Sequence, residues 1–481
     1  MPKKPKSARR RKNASMDGEG DGDVQMDIDV LSDTYTIMSD EQSLGDSFYE
    51  DTANEDQILE EEELQDDDVA TREELRHAKL MDGLSIASDL TSEKRAKKRE
   101  QGLRTLFKAI TQHAAGYNGQ EAIRSQLDEI ILPACKNSLR GGGSSTPAEQ
   151  YAACRVLEAT SILLGGGEDE FAEGLFTTLS RVIKVTSRAA QVRGAALRAL
   201  SMAYFICMSG VDASDRVLDL CEQVCATEFR GEVVPPILRA TALDCWALLS
   251  TTIHNAYLAG NDIPGSGDGR GLVILPLLND CLNSSNLDLR CSAGECVALI
   301  HEARLDLGID EDEGENASER RYRRGSWDGS EWEVIMDEVK QRVAELSVES
   351  GKHMSKKAKK EQRQTFREFM STIVDDESPN EVVAFRGGQM TLNNWREIIQ
   401  LNFIRHCLQS GFQVQLMTNA TLQAIFGSDG RILNSAGNMS QLEKRLVMSK
   451  TSDASKQAYN QRNKRRKSKN ARQNMFLEEE G

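Results

Sequence analysis

Apolar residues along most of this chain recur at intervals of three and four, the spacing that lines one face of an α-helix. The pattern takes hold at about residue 72, and one figure returns within it. A small residue has an arginine three positions before it and a large apolar residue four positions after it. Ala293 stands between Arg290 and Val297, Ala242 between Arg239 and Trp246, Ala196 between Arg193 and Leu200, and Gly102 between Arg99 and Leu106. A weaker copy surrounds Ala153, with Gln150 in the arginine place and Leu157 after it. From Gly102 to Ala293 the anchors lie 51, 43, 46 and 51 residues apart. That period falls near the roughly 40–47 residues of HEAT and armadillo units. Each copy predicts an amphipathic helix that admits a neighbour at the small residue and packs a large side chain one turn later. The stretches "RGGGSSTP", "GGGEDE" and "AGNDIPGSGDGRG" separate copies as loops. The arginines would cap a neighbouring helix or line a groove, and capping is the expected role.

Residues 306–325, acidic and then basic, predict an exposed loop. A helix follows, with Ser330 and Glu333 at capping-box spacing. Its apolar stripe of Trp332, Ile335, Met336, Val339, Val343 and Leu346 is expected to close the row of repeats, not to bind a cofactor. From Ser355 a basic helix is predicted, with Phe366, Phe369 and Ile373 on its buried side. "EVVAFRGGQMTL" predicts a β-hairpin about its Gly-Gly pair. Asn393 or Asn394 then caps a helix carrying Trp395, Ile398, Ile399, Phe403, Ile404 and Leu408, closed by Gly411. "FQVQLMTNATLQAIFG" predicts a strand and then a helix capped by Asn419.

Charge changes the picture at the ends. The 481 residues carry a formal charge of −16, yet residues 17–68 hold 21 Asp and Glu and no Lys or Arg. The rest of the chain is therefore mildly basic. The first twelve residues hold seven basic side chains, and residues 456–472 hold eight and no acid. Such segments bury too little apolar surface to offset their ordering entropy, so both termini are expected to be disordered. The acidic stretch is long enough to fold back over basic surfaces and lower non-specific binding. No apolar run reaches membrane-spanning length, and no hydrophobic region follows the basic N-terminus, so a soluble, non-secreted chain is expected.

Catalytic and metal signatures are scarce. Ten cysteines in a chain this long do not make a disulfide scaffold. The spacings of Cys221 with Cys225 and of Cys291 with Cys296 lack the paired CxxC of a zinc site, so these thiols are expected in the core. "GSGDGRG" lacks the lysine and preceding strand of a phosphate-binding loop, and neither HExxH nor GxSxG occurs. His77, His113, His254, His301, His353 and His406 are scattered without a catalytic pattern around them. No enzyme activity, cofactor, metal or small-molecule substrate is expected. An enzyme of unfamiliar type would need a perturbed acid–base cluster in a deep pocket.

Three stretches between residues 352 and 427 resemble the interferon-related developmental regulators. They are "KKEQRQTFREF", "EVVAFRGGQMTLNNW" and "SGFQVQLMTNATLQAIFG". "SSNLDLRCSAGECVALIHEAR" and "LTSEKRAKKREQGLRTLFKAI" are similar as well, while the middle repeats match only in pattern. Asn394-Trp395 departs from the family's usual Ser-Trp, a conservative change for a helix cap. The resemblance implies a helical-repeat domain followed by a small C-terminal domain. It also implies a non-enzymatic regulator, acting on transcription or restraining translation at the ribosome.

The expected fold is mainly α: a HEAT/armadillo-like helical-repeat solenoid with a small C-terminal α+β module and disordered charged termini. Its expected parts are a tail (1–70), a helical-repeat domain (72–350), a C-terminal module (352–440) and a basic tail (441–481). The first expected partner is RNA or the ribosome. It would be met through Lys356, Lys357, Lys359, Lys360, Arg363 and Arg367 on the basic helix. The tail would add Arg462, Lys464, Arg465, Arg466, Lys467, Lys469 and Arg472. The bland alternative for the basic helix is a solvated face. The alternative function is a nuclear scaffold for regulatory proteins, with "RNKRRK" serving import. Cytoplasmic or nuclear placement, or both, is expected.

Overall fold

The small residue of each repeated figure sits where two helices meet. In the computed structural model the described residues are 69–140, 145–210, 213–260, 267–307, 329–348, 356–385 and 388–426, and their structure is mainly helical. Residues 69 and 70 of the expected N-terminal tail are helical, while its residues 1–68, the expected C-terminal tail with its cations Arg462 to Arg472, and the 306–325 loop beyond Leu307 lie outside the described residues. So do the side chains of Ser330 and Glu333.

Helix α1 (Val69–Asp89) packs on α2 (Ala96–Lys108), which continues into a π-turn (Ala109–His113). A short α3 (Gly116–Ser125) and a second π-turn (Leu127–Ile131) lead to α4 (Leu132–Leu139). Helix α4 pairs with α5 (Pro147–Leu164), and α6 (Asp169–Lys184) pairs with α7 (Ala190–Cys207). Helix α8 (Asp215–Cys225) pairs with α9 (Pro236–Ser250). The short α10 (Asn255–Ala259) precedes α11 (Arg270–Leu282), which pairs with α12 (Leu287–Asp306). Last, α13 (Gly329–Val348) pairs with α14 (Lys356–Asp375). The second members touch in sequence order, α2 on α5, α5 on α7, α7 on α9, α9 on α12 and α12 on α14. All the repeated figures fall on this series.

The figure explains the packing. Ala153, Ala196, Ala242 and Ala293 are wholly buried, and a side chain at Gly102 would overlap Leu90. Leu106, Leu157, Leu200, Trp246 and Val297 are buried one turn later. The arginines take the capping role. Arg193 Nε donates to the Ile183 carbonyl at 2.9 Å, in the last turn of α6. Arg239 Nε donates to the Cys225 carbonyl at 2.7 Å, at the end of α8. Arg290 Nη1 donates to Ser284 at 3.0 Å, just past α11. A helix end enclosed by other helices has carbonyls that water cannot reach, and these guanidinium groups supply the missing donors. The copy that lacks its arginine is repaired from elsewhere. Arg188 donates to the Leu139 carbonyl at 3.0 Å, ending α4, and to Gln150 Oε1 at 2.7 Å.

The stripe of α13 is buried as expected, with Val339, Val343 and Leu346 wholly enclosed. All ten cysteines are free thiols, and nine are buried. Burial pushes the Cys154 and Cys245 thiols up to about 12, which keeps them protonated.

Three local expectations are corrected. The hairpin pairs Glu381–Phe385 with Gly388–Leu392. Phe385 is paired with Gly388, so the second glycine of the pair belongs to a strand, while residues 386–387 lie outside the described residues. Helix α15 (Trp395–Leu408) ends before Gly411, at Gln409, whose φ is 50°. Gly411 is small for another reason, since a side chain there would overlap the Thr111 carbonyl. The expected strand at 412 is helix α16 (Phe412–Thr418), followed by α17 (Ala420–Ile425). Its apolar residues Phe412 and Leu416 recur at four, not two, and both are buried. A further hairpin pairing Glu228–Phe229 with Glu232–Val233 was not expected. Arg230 and Gly231 both take positive φ in its turn, and only the glycine signals that in sequence.

Gly294 on α12 faces the Phe369 ring of α14 closely enough that a side chain would overlap it. Gly294→Ala should lower the unfolding free energy by about 1–3 kcal/mol. Urea denaturation measures this, and an unchanged midpoint would contradict the close approach.

Candidate nucleic-acid interface

The basic helix expected from residue 355 is α14, and its mount is rigid. Phe366, Phe369 and Ile373 are wholly buried. The Phe369 ring lies 5.4 Å from the Trp395 ring, and Trp395 Nε1 donates to Thr372 Oγ1 at 2.9 Å. At the far end of the helix His301 Nε2 meets Asp376 Oδ1 at 2.8 Å. These contacts fix the apolar side of α14. Lys356, Lys360, Arg363 and Arg367 follow one another at helical spacing, a row about 16 Å long. Arg367 is exposed and Arg363 half-buried, while the side chains of Lys356, Lys357, Lys359 and Lys360 lie outside the described residues. A row of cations on a fixed helix can follow the phosphates of a nucleic-acid strand.

Behind this helix the chain does something the sequence did not reveal. From Asn394 onward it runs back across the helix series, from α12 towards α2. Asn394 caps α15 by accepting from the Glu397 amide at 2.8 Å. The Trp395 amide donates to Glu302 of α12 at 2.9 Å. Arg396 donates to the carbonyls of Thr251 and Ile253 and to Asn255 Oδ1. At the other end of α15, Arg155 of α5 donates to the carbonyls of His406 and Cys407, at 2.6 and 2.9 Å. Gln415 Nε2 donates to Thr111 and Ala114 at 3.0 and 2.9 Å, and Gln112 Nε2 to Ser410 Oγ at 2.7 Å. Asn419 caps α17 through the Thr421 and Leu422 amides, and its Nδ2 donates to Ile162 at 3.1 Å.

Beneath α15 lies a row of buried charge. Arg155 pairs with Glu158 one turn along α5. Arg198 of α7 stands 3.6 Å from Glu158 and 3.5 Å from Asp244 of α9. Ser292 of α12 donates to Asp244 at 2.6 Å. The Arg198 guanidinium also covers the Phe403 ring of α15, 3.9 Å from its centroid. Burial, with Arg198 and Arg155 nearby, pushes the His406 imidazole well below its usual range and keeps it neutral. Burial also raises Asp244, and it raises Asp288 to about 6. Burial raises Glu302 to about 7, against the lowering effect of the Trp395 amide.

No group of three His, Cys, Asp or Glu among the described residues is arranged to hold a metal ion. Among the same residues no helix is long and apolar enough to cross a membrane.

A family model described as interferon-related developmental regulator matches residues 31–374. The match ends in α14, so the hairpin and α15–α17 lie past it. Interferon-related developmental regulator 1 of Mus musculus is 24% identical over 365 residues, covering 75% of this chain and 73% of its own. The Homo sapiens protein of the same name is likewise 24% identical over 365 residues, with the same coverage. Interferon-related developmental regulator 2 of Mus musculus is 24% identical over 368 residues, covering 74% and 75%.

Two outcomes test the seam between α15–α17 and the helix series beneath them. Arg155→Met leaves Glu158 buried without its closest cation and two α15 carbonyls without their donor. The cost should be about 3–5 kcal/mol of unfolding free energy. A loss under about 1 kcal/mol in urea denaturation would contradict the arrangement. The second concerns pH. Folded Glu302 keeps its proton up to about 7, whereas unfolded it titrates in the ordinary carboxylate range. Its contribution is therefore most favourable at the acid end of that window and declines as pH rises through about 7. Glu302→Gln should remove that decline, read as the wild-type-minus-variant difference in unfolding free energy. A difference that stays constant from about pH 5 to about pH 8 would contradict it.

Proposed function

The chain belongs to the interferon-related developmental regulator family, and from that premise we propose that it is a non-enzymatic regulatory binding protein whose first partner is RNA or the ribosome. In this reading the paired helices form a HEAT/armadillo-like solenoid, and the solenoid serves as a rigid frame. The basic elements at its C-terminal side meet phosphate. The observation that carries the reading is α14, a cationic row whose opposite side is pinned by Phe366, Phe369 and Ile373, all wholly buried. A helix held in this way meets a polyanion without first losing the freedom of a flexible tail. Lys356, Lys357, Lys359, Lys360, Arg363 and Arg367 act first, and the cations from Arg462 to Arg472 add to them. Recognition is of backbone and shape, since few aromatic side chains accompany these cations. Cytoplasmic ribosomes or nuclear RNA both offer that chemistry.

The nuclear scaffold reading, in which a partner peptide lies along the helix series, is less favoured on one observation. Helices α15 to α17 already lie across α12, α9, α5 and the first π-turn, and α15 meets α7 where Arg198 covers Phe403. A peptide partner there would have to displace them.

Binding of a labelled mixed-sequence RNA to the full chain, followed by anisotropy across a salt series, tests the proposal. About six phosphate contacts on a single strand predict a slope of log K against log salt near −4. Removing residues 450–481, or neutralising the six α14 cations, should flatten that slope and weaken binding. A flat salt response in the full chain, or equal affinity in all forms, would overturn it.

A further inference from the structure

A second cationic row lies at the opposite end of the helix series, on the α1–α2 corner. On α2, Lys97, Gln101, Arg104 and Lys108 recur at intervals of four, three and four, so they share one side of the helix. Lys97, Gln101 and Lys108 are exposed, and Arg104 is half-buried. The row spans about 16 Å, the same reach as Lys356 to Arg367 on α14. The opposite side of α2 is buried through Leu103, Leu106 and Phe107, so this row too is fixed in direction. From α1, Arg76 and Lys79 approach the far end of the row. Together with Lys108 they put His113 in a positive field, and burial plus that field pushes its imidazole down to about 4.

The near end carries further cations. Lys94, Arg95 and Lys98 are exposed and line a groove between the end of α1 and the start of α2, beside Gln101 and Thr105. Six acids stand among these eight cations. Glu93 stands 3.6 Å from Lys98, and Glu100 stands 3.1 Å from Arg104. Glu73, Glu74 and Asp82 are exposed on α1 and Asp89 lines the groove. Lys79, Lys97 and Lys108 make no ion pair among the described residues. Exposed lysines grouped along one side of a fixed helix repel one another, and a polyanion relieves that repulsion.

We infer that the α1–α2 corner is a second phosphate-backbone interface, taking an RNA strand along the row from Lys97 to Lys108. The inference rests on the RNA reading above and adds to it a site at the far end of the helix series. Two cationic rows at opposite ends of one frame let a single RNA, or two segments of one folded RNA, engage both. Affinity then exceeds that of either row because the second contact is intramolecular.

The test uses the full chain and three proteins: wild type, K79A/K97A/K108A, and the α14 variant with its six cations neutralised. All three lysines are exposed, so the triple variant should keep the wild-type circular dichroism spectrum and melting temperature. With a labelled single-stranded RNA it should bind about 10-fold or more weakly at 0.15 M salt, with a slope shallower by about 2 for three lost contacts. Unchanged affinity and slope in the triple variant, with loss in the α14 variant, would overturn this inference and leave the earlier reading standing. Loss in the triple variant alone would keep the inference and remove α14 from the interface. No binding by wild type would overturn both. Polyglutamate provides the remaining arm. A triple variant that keeps its RNA affinity while losing polyglutamate binding would assign the corner to an acidic protein segment and overturn the RNA assignment.

Discussion

Helices stacked in a row end in carbonyls that water cannot reach, and this structure answers that constraint mainly with arginine. One guanidinium carries several donors on a flat fork, so it can satisfy a helix end and still touch a neighbour. Arg193, Arg239 and Arg290 each close the preceding helix in this way, and Arg188 does so for the copy that has Gln150 instead. Arg155 and Arg396 extend the device to the C-terminal helices, where they hold carbonyls on both sides of the seam. Leaving such groups unpaired would cost about 1–3 kcal/mol each, a large fraction of a marginal stability.

The same device separates the interior from the surface. Several arginines that serve carbonyls are buried, as with Arg99, Arg155, Arg193 and Arg290, and Arg188, Arg239 and Arg396 are half-buried. Lysines of α2 stay exposed, as befits a strongly hydrated ammonium. Counting basic residues along the chain therefore overstates the cations available to a partner. Arg99 lies in the basic run "EKRAKKRE", yet it is committed to Glu149 through two bonds, 2.8 and 2.9 Å long. Its neighbours Lys97 and Lys98 are exposed. The frame and the binding rows thus draw on the same composition but on different residue types.

Many of the helices were legible in sequence because apolar residues recur at helical spacing. A small residue with an arginine before it and a large apolar residue after it is visible at four positions, with Gln150 in the arginine place at a fifth, and all five fall on the second helix of a pair. The cap at Asn393 or Asn394, which the structure places on Asn394, and the cap Asn419 were legible because a short polar side chain before an apolar run has a local meaning. The seam was not legible. Contacts such as Arg155 with His406 and Gln415 with Thr111 join residues some 250 to 300 positions apart, and nothing local marks them. "FQVQLMT" alternates polar and apolar residues over too few positions to separate strand from helix, and packing beside the first π-turn decided for helix. The basic character of α14 was visible, but that of the α1–α2 corner was hidden in a segment that reads first as a repeat.

The account depends on residues 395–425 being part of the helical frame, held across it by side-chain donors to backbone carbonyls. Hydrogen–deuterium exchange of the full chain tests that most directly. The amides of α15 should exchange as slowly as those of α5, α7 and α9, and lose protection together with them as urea is raised. Rapid exchange throughout α15–α17, with α5, α7 and α9 still protected, would contradict it.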